Sequence, residues 1–255
     1  MSTIITLTNQ KGGVGKTTTS AAIAAGFVAM GKRVLGIDLD PQGNFGFSLG
    51  ISPGDFYTVY DVFKNEVSIE DTIKHADICD IICSDIMLSA VELEFSGSGR
   101  ESLLKNAIAP IRDNYDFIII DTPPSLNILT VNAFVVSNHL IIPMASEILS
   151  LVGVSQIKDT IENIRTSFNP DLNVLGILLN KYDKRTLLAQ EVAEMAEILA
   201  VRLGSHVFNN KIRASVSVAE APAQGQSILE YAPGSPAGKD YIALMKEIAR
   251  ALHIK

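Results

Sequence analysis

Residues 9 to 18 read Asn9, Gln10, Lys11, Gly12, Gly13, Val14, Gly15, Lys16, Thr17 and Thr18, and no other stretch restricts the fold so tightly. The apolar, β-branched run from Ile4 to Thr8 precedes them, and helix formers follow from Thr17 to Met30. The loop therefore joins a buried strand to the first turn of a helix. Its three glycines let backbone N–H groups approach an anion closely, and the helix start adds partial positive charge. Such a turn is a phosphate cradle. Gly12, Gly13, Val14, Gly15, Lys16, Thr17 and Thr18 are the residues expected to line it, with Lys16 neutralising β- and γ-phosphates and Thr17 offering its hydroxyl to Mg²⁺.

A strict glycine, four residues, glycine, lysine, serine-or-threonine pattern fails here, because Gln10 stands where the first glycine belongs. A second lysine, Lys11, lies in the same short loop. Two ammonium groups beside one triphosphate exceed what a cradle needs, so Lys11 is expected to meet phosphates from a different direction. The octet Lys11 to Thr18 resembles the deviant Walker A motif of the ParA/MinD ATPases. That resemblance implies a P-loop NTPase in which the extra lysine reaches across a dimer to the partner's nucleotide.

Further along, Lys32 to Asp38 forms a second buried strand ending in Asp38, Leu39, Asp40, Pro41, Gln42, Gly43 and Asn44. Carboxylates at the carboxyl end of a parallel strand sit where open α/β sheets place ligands. Asp40 is the candidate for positioning the attacking water and contacting the metal ion, and Asp38 for supporting the loop. Asp116 to Asp121 is an uninterrupted apolar strand that delivers one carboxylate at its end, a Walker B arrangement with Asp121 holding Mg²⁺ directly or through water. Pro123 and Pro124 then shape a loop able to sense the γ-phosphate. Strands at 139–143, 173–180 and 205–208, with helices at 148–168, 187–202 and 239–252, complete an α/β, doubly wound, mostly parallel sheet with helices on both faces. One domain over residues 1–255 is expected. Residues 51–114 are less legible: helical patterns at Val59 to Phe63, Ile69 to His75 and Glu101 to Asn114, a strand holding Cys79 and Cys83, and a glycine- and serine-rich run from Phe95 to Arg100.

The strand at 173–180 ends in Asn180, Lys181, Tyr182 and Asp183, which matches the base-reading motif of GTPases. ATP is nevertheless preferred over GTP, since four residues match readily by chance and the phosphate loop resembles an adenine-using family. Asn180 is expected against the base in either case, and Pro222, in the run Glu220 to Gly225, against its other side.

The 255 residues are 47% hydrophobic, enough for one large core. Cys79 and Cys83 lie about 13 Å apart on one face of an extended strand, too far for a disulfide or a shared metal ion, so core packing is expected. The chain opens without a basic leader and holds no long uncharged apolar run, which points to the cytosol. A net charge of −7 argues against a protein that coats nucleic acid all over and allows only a local basic patch.

Lys11 to Thr18, Asp38 to Asn44, Ile118 to Leu126, and the runs Glu220 to Gly225 and Tyr231 to Ser235 together resemble the ParA/Soj-type partition ATPases over nearly the whole chain. The resemblance implies an ATP-sandwich homodimer that binds double-stranded DNA without sequence preference on the nucleoid. It also implies slow ATP hydrolysis until a ParB-like partner stimulates it. Lys11 would be the cross-dimer lysine, Lys16 the phosphate lysine, Thr17 the Mg²⁺ ligand, Asp40 the catalytic carboxylate and Asp121 the Walker B acid. The compact start implies no helix-turn-helix extension. The basic stretch before Glu220 is thin, so Lys211, Arg213, Lys239, Lys246 and Arg250 are the DNA-contact candidates. A MinD-like membrane-cycling regulator would need the helix from Tyr241 to Lys255 to lie in a bilayer; its apolar positions suit docking on the core instead, so no membrane is expected. A positioning ATPase for other cargo, or a metabolic ligase on the same fold, is the remaining alternative.

Overall fold

Continuous apolar strands require cover on both sides, and the chain supplies it. The computed structural model describes residues 2–52 and 54–254, with residues 148–153 and 155 described by their backbone alone. The strands are β1 (Thr3–Leu7), β2 (Val34–Asp38), β3 (Ile73–His75), β4 (Asp80–Ile82), β5 (Phe117–Asp121), β6 (His139–Ala145) and β7 (Asn173–Asn180). The helices are α1 (Lys16–Ala29), α2 (Asn44–Ser48), α3 (Val59–Phe63), α4 (Val91–Glu94), α5 (Leu103–Ile108), α6 (Ile128–Val136), α7 (Ile148–Ser167), α8 (Leu187–Arg202), α9 (Val216–Glu220), α10 (Ile228–Tyr231) and α11 (Pro236–Ala251). The sheet order is β3-β4-β2-β5-β1-β6-β7, parallel except for the β3–β4 pair.

Alternation along each strand feeds two cores. Ile4, Ile118 and Ile120 face the layer that holds α3 to α8, while Ile5, Phe117 and Ile119 face α1, α10 and α11. In the second layer Phe27 stacks on Phe117 with ring centroids 3.9 Å apart. Tyr241, Leu244, Met245 and Ile248 of α11 are buried in the same core. Gly26 makes that docking possible, because a Cβ there would come within 2.6 Å of Met245. The apolar face of α11 is thus engaged with α1. No helix among the described residues is long and apolar enough to cross a membrane.

The expected doubly wound sheet is present, with corrections in detail. Ile69 to His75 is not helical: a 3-10 turn at Glu70–Thr72 leads into β3, which pairs antiparallel with β4 and sets Ile73 opposite Ile82. Glu101 to Asn114 breaks into α5 and flanking 3-10 turns, because Pro110 cannot continue a helix. Ser205 to Phe208 makes one bridge, Val207 to Ile177, rather than a strand. The Phe208 ring fills the space a Cβ on Gly176 would need, and the chain leaves to pair Ile212 with Leu179. These separate contacts shield the free edge of β7. α6, capped by the Asn127 side chain, was not foreseen. Cys79 and Cys83 flank β4 and are both buried in the second core, with thiols pushed up to about 12 by burial. Met1 and Lys255 lie outside the described residues.

Candidate functional site

Register sets the chemistry. Leu7 pairs with Asp121 and Asp121 pairs with Asp38, so two carboxylates end side by side at the carboxyl edge of adjacent parallel strands. Asp38 is fully buried and accepts N–H bonds from Asp40 at 3.0 Å and Phe45 at 2.8 Å. It therefore pins the loop to the start of α2, as its support role required. Burial first, and the neighbouring Asp121 second, raise its carboxyl well above the usual carboxylate range. Asp121 accepts from the Thr17 hydroxyl at 2.6 Å and the Ser20 hydroxyl at 3.0 Å. Burial pushes it up to about 6, against the opposing pull of those hydroxyls and of Lys16.

Above this pair α1 begins. Its first helical residue, Lys16, follows Gly15 at φ 88°, and no side chain caps the helix. By contrast Asn127, Thr186 and Ser235 cap α6, α8 and α11. The uncapped N–H groups of α1 face a cavity of about 700 Å³ lined by Gly12 to Thr18, Asp40, Asn180, Lys181, Pro222 and Tyr241 among others. Lys16 is 7% exposed and donates to the Lys11 carbonyl at 3.3 Å. Burial lowers its pKa, while Asp121 and Asp40 hold it up. The Asp40 carboxylate accepts from Gln42 N–H at 3.1 Å, and its carbonyl accepts from the Ser84 hydroxyl.

The donor set asks for two opposite guests. An uncapped helix start with a lysine favours a polyanion, and the Thr17 hydroxyl on buried Asp121, with Asp40 at the cavity wall, favours a divalent cation beside it. Thr17 stands between Asp121 and the cavity, which Asp121 does not line. A nucleoside triphosphate with Mg²⁺ satisfies both demands, so the residues fit that pair.

Asn180 supports the loop from β7: its amide N–H donates to the Val14 carbonyl at 2.8 Å and to Thr19 Oγ1 at 3.3 Å. Its Oδ1 is buried without a partner and belongs to a residue of the cavity wall. Lys181, at φ 53°, donates to the Gly13 carbonyl at 2.9 Å. Asp183 does not line this cavity: Arg185 grips it with bonds of 2.7 and 2.9 Å and holds its carboxyl down to about 2.

Lys11 also lies outside the cavity lining, its ammonium paired with Glu147 at the edge of α7. The DNA-contact candidates separate. Lys211 stacks over the Tyr182 ring at 4.6 Å, and Arg213 forms a two-pronged pair with Asp240. Both border a second cavity with Lys184 and Arg185, whereas Lys246 and Arg250 are exposed on α11 away from it. The structure thus adds Ser20, Glu147, Lys184 and Arg185 to the residues sequence reasoning named. Ser20 follows Thr17 by one helical turn, a spacing that places both hydroxyls on Asp121. Lys184 and Arg185 directly follow the Asn180–Asp183 match, which drew attention to the base rather than to them.

Known proteins resemble this chain over most of its length. Residues 2–174 match the family described as AAA domain. The sporulation initiation inhibitor protein Soj of Bacillus subtilis is 40% identical over 98% of this chain and 99% of its own length. The chromosome partitioning protein ParA of Caulobacter vibrioides is 38% identical over 96% of this chain and 93% of its own. Among solved structures, cobyrinic acid a,c-diamide synthase from Mycobacterium smegmatis, with bound ATP analog and magnesium, superposes with a TM-score of 0.85 at 32% identity. That likeness covers 99% of this chain and 96% of the synthase.

Proposed function

The chain belongs to the Soj/ParA family of partition ATPases, and from that premise we propose that it hydrolyses ATP with Mg²⁺ and uses the ATP-bound state to hold DNA. The observation that carries this reading is the uncapped start of α1, which sets Lys16 and Thr17 between an open cavity and the buried Asp38–Asp121 pair.

Phosphoryl transfer to water is chiefly positioning and charge neutralisation. Lys16 neutralises β- and γ-phosphate oxygens, and burial strengthens that attraction by keeping water away. Thr17 and Asp121 would hold Mg²⁺, which would supply further charge neutralisation. Because Thr17 stands in front of Asp121, the carboxylate acts through that hydroxyl or through water. Asp40 orients the attacking water, its backbone anchored by Asp38 and Ser84. Asn180 Oδ1 is an acceptor suited to the amino group of adenine and opposed to the carbonyl guanine carries there, which favours ATP; Pro222 closes the base site. Lys11, set apart from its own cavity, is left for the partner's nucleotide in a sandwich dimer once Glu147 releases it.

DNA is held through backbone phosphates by Lys211, Arg213, Lys184 and Arg185, with Lys246 and Arg250 as a separate exposed pair. A ParB-like partner resets the cycle, and the setting is the cytoplasm at the nucleoid. A small-molecule ligase is the second reading, favoured by the likeness to the diamide synthase.

Filter retention of arbitrary duplex DNA tests the proposal. Retention with ATP, absence with ADP, and loss as salt rises are expected. Lys16→Ala abolishes nucleotide binding and retention, and Asp40→Ala keeps retention while stopping turnover. Equal retention with ATP and ADP, or equal turnover in wild type and Asp40→Ala, refutes it. ATP hydrolysis only with an added small-molecule acid would favour the ligase.

A further inference from the structure

The outward face of α8 exposes large apolar side chains with glutamates set among them. Its inward face is Ala189, Val192, Ala196 and Ala200, all buried. Opposite them Leu187 is 70% exposed, Leu188 43%, Met195 49%, Ile198 56% and Val201 74%. At about 100° per residue these five fall within roughly 140° of arc. Scattered exposed apolar residues are ordinary; five on one helix face form a strip of the kind that marks an interaction surface.

Glu191, Glu194 and Glu197 stand within and beside the strip, one helical turn apart and all exposed. Like charges at that spacing oppose helix formation. Among the described residues none of the three enters an ion pair. We propose that this face docks an amphipathic helix of a partner protein whose apolar stripe is flanked by lysine or arginine. Leu187, Met195, Ile198 and Val201 take the stripe, and the glutamates select the flanking charge. A second copy fits poorly, because antiparallel α8 helices would set glutamates against glutamates with Arg202 as the only cation on each. An anionic bilayer is repelled by the same carboxylates. No residue of α8 lines the nucleotide cavity, so the surface goes beyond the ATP-driven reading and is testable without nucleotide.

The test uses the full chain with ¹³C-methyl methionine and follows the Met195 signal. The probe is a leucine–lysine peptide of helical pattern about five turns long, with a leucine–glutamate peptide of the same pattern as control. The lysine peptide is expected to shift Met195 saturably, the glutamate peptide to leave it in place. Joint Glu191→Lys, Glu194→Lys and Glu197→Lys substitution is expected to weaken the lysine peptide about tenfold or more and reverse the preference. Because all three positions are exposed, the melting temperature should hold, and Ile198→Asp gives a second variant that removes binding through the strip. Equal response to both peptides, or none, overturns the proposal. So does concentration-dependent Met195 broadening without peptide, or an equal response to phosphatidylglycerol vesicles.

Discussion

Three glycines in one loop carry three different burdens, and alanine substitution separates them. Gly12 has open space and an ordinary φ, Gly13 has open space at φ +73°, and Gly15 has φ +88° with Asn180 Nδ2 only 2.7 Å from where a Cβ would stand. Gly12→Ala should be near neutral, since alanine also stiffens the unfolded chain. Gly13→Ala adds left-handed strain and should cost about 1 kcal/mol net. Gly15→Ala adds the same strain and displaces the Asn180 amide from Val14 and Thr19. Two hydrogen bonds at about 1 kcal/mol each bring its total to about 3 kcal/mol. For a chain this long that is a melting temperature lower by about 6–12 °C. Ligand-free thermal unfolding followed by circular dichroism reads the series without any nucleotide contact. Equal melting temperatures for Gly13→Ala and Gly15→Ala would refute the coupling between the loop and β7.

Other outcomes follow from the same geometry. Burial raises the folded Asp121 carboxyl to about 6 from an ordinary 3.8, so between about pH 4 and 6 the folded chain binds more protons than the unfolded one. Ligand-free stability should therefore fall as pH rises through that window, and the raised carboxyl of neighbouring Asp38 adds to the fall; Asp121→Asn should reduce the slope in urea unfolding series, and an unchanged slope contradicts the assignment. Tyr241→Phe removes the buried hydroxyl 3.1 Å from Thr19 and should cost about 1 kcal/mol with packing intact, measured by denaturant midpoint. Asp183→Ala should leave the preference for ATP over GTP unchanged in competition binding, because Arg185 already occupies that carboxylate. A switch toward either nucleotide would return Asp183 to the base site.

The central strands were legible because a parallel sheet buried on both faces leaves unbroken apolar runs, as in Phe117 to Asp121. The phosphate loop was legible because few other uses require glycines and lysines between such a strand and a helix. What escaped depended on partners distant in sequence. The three residues of β3 become a strand only by pairing with β4, and Ser205 to Phe208 looks extended but is shaped by Phe208 filling the gap over Gly176. Asn180 was expected at the base, and its grip on Val14 needs the fold to bring positions 14 and 180 together. The basic residues scattered most: spacing alone could not tell that Arg213 is bound to Asp240 or that Lys184 and Arg185 lie beside Lys211.

The role given to the loop's two lysines is tested most directly by molecular mass in solution. Sedimentation equilibrium with Mg²⁺ and a non-hydrolysable ATP analogue should give a dimer for the unaltered chain and a nucleotide-bound monomer for Lys11→Ala. An unaltered chain that stays monomeric with the analogue bound, or a Lys11→Ala variant that dimerises equally well, would contradict it.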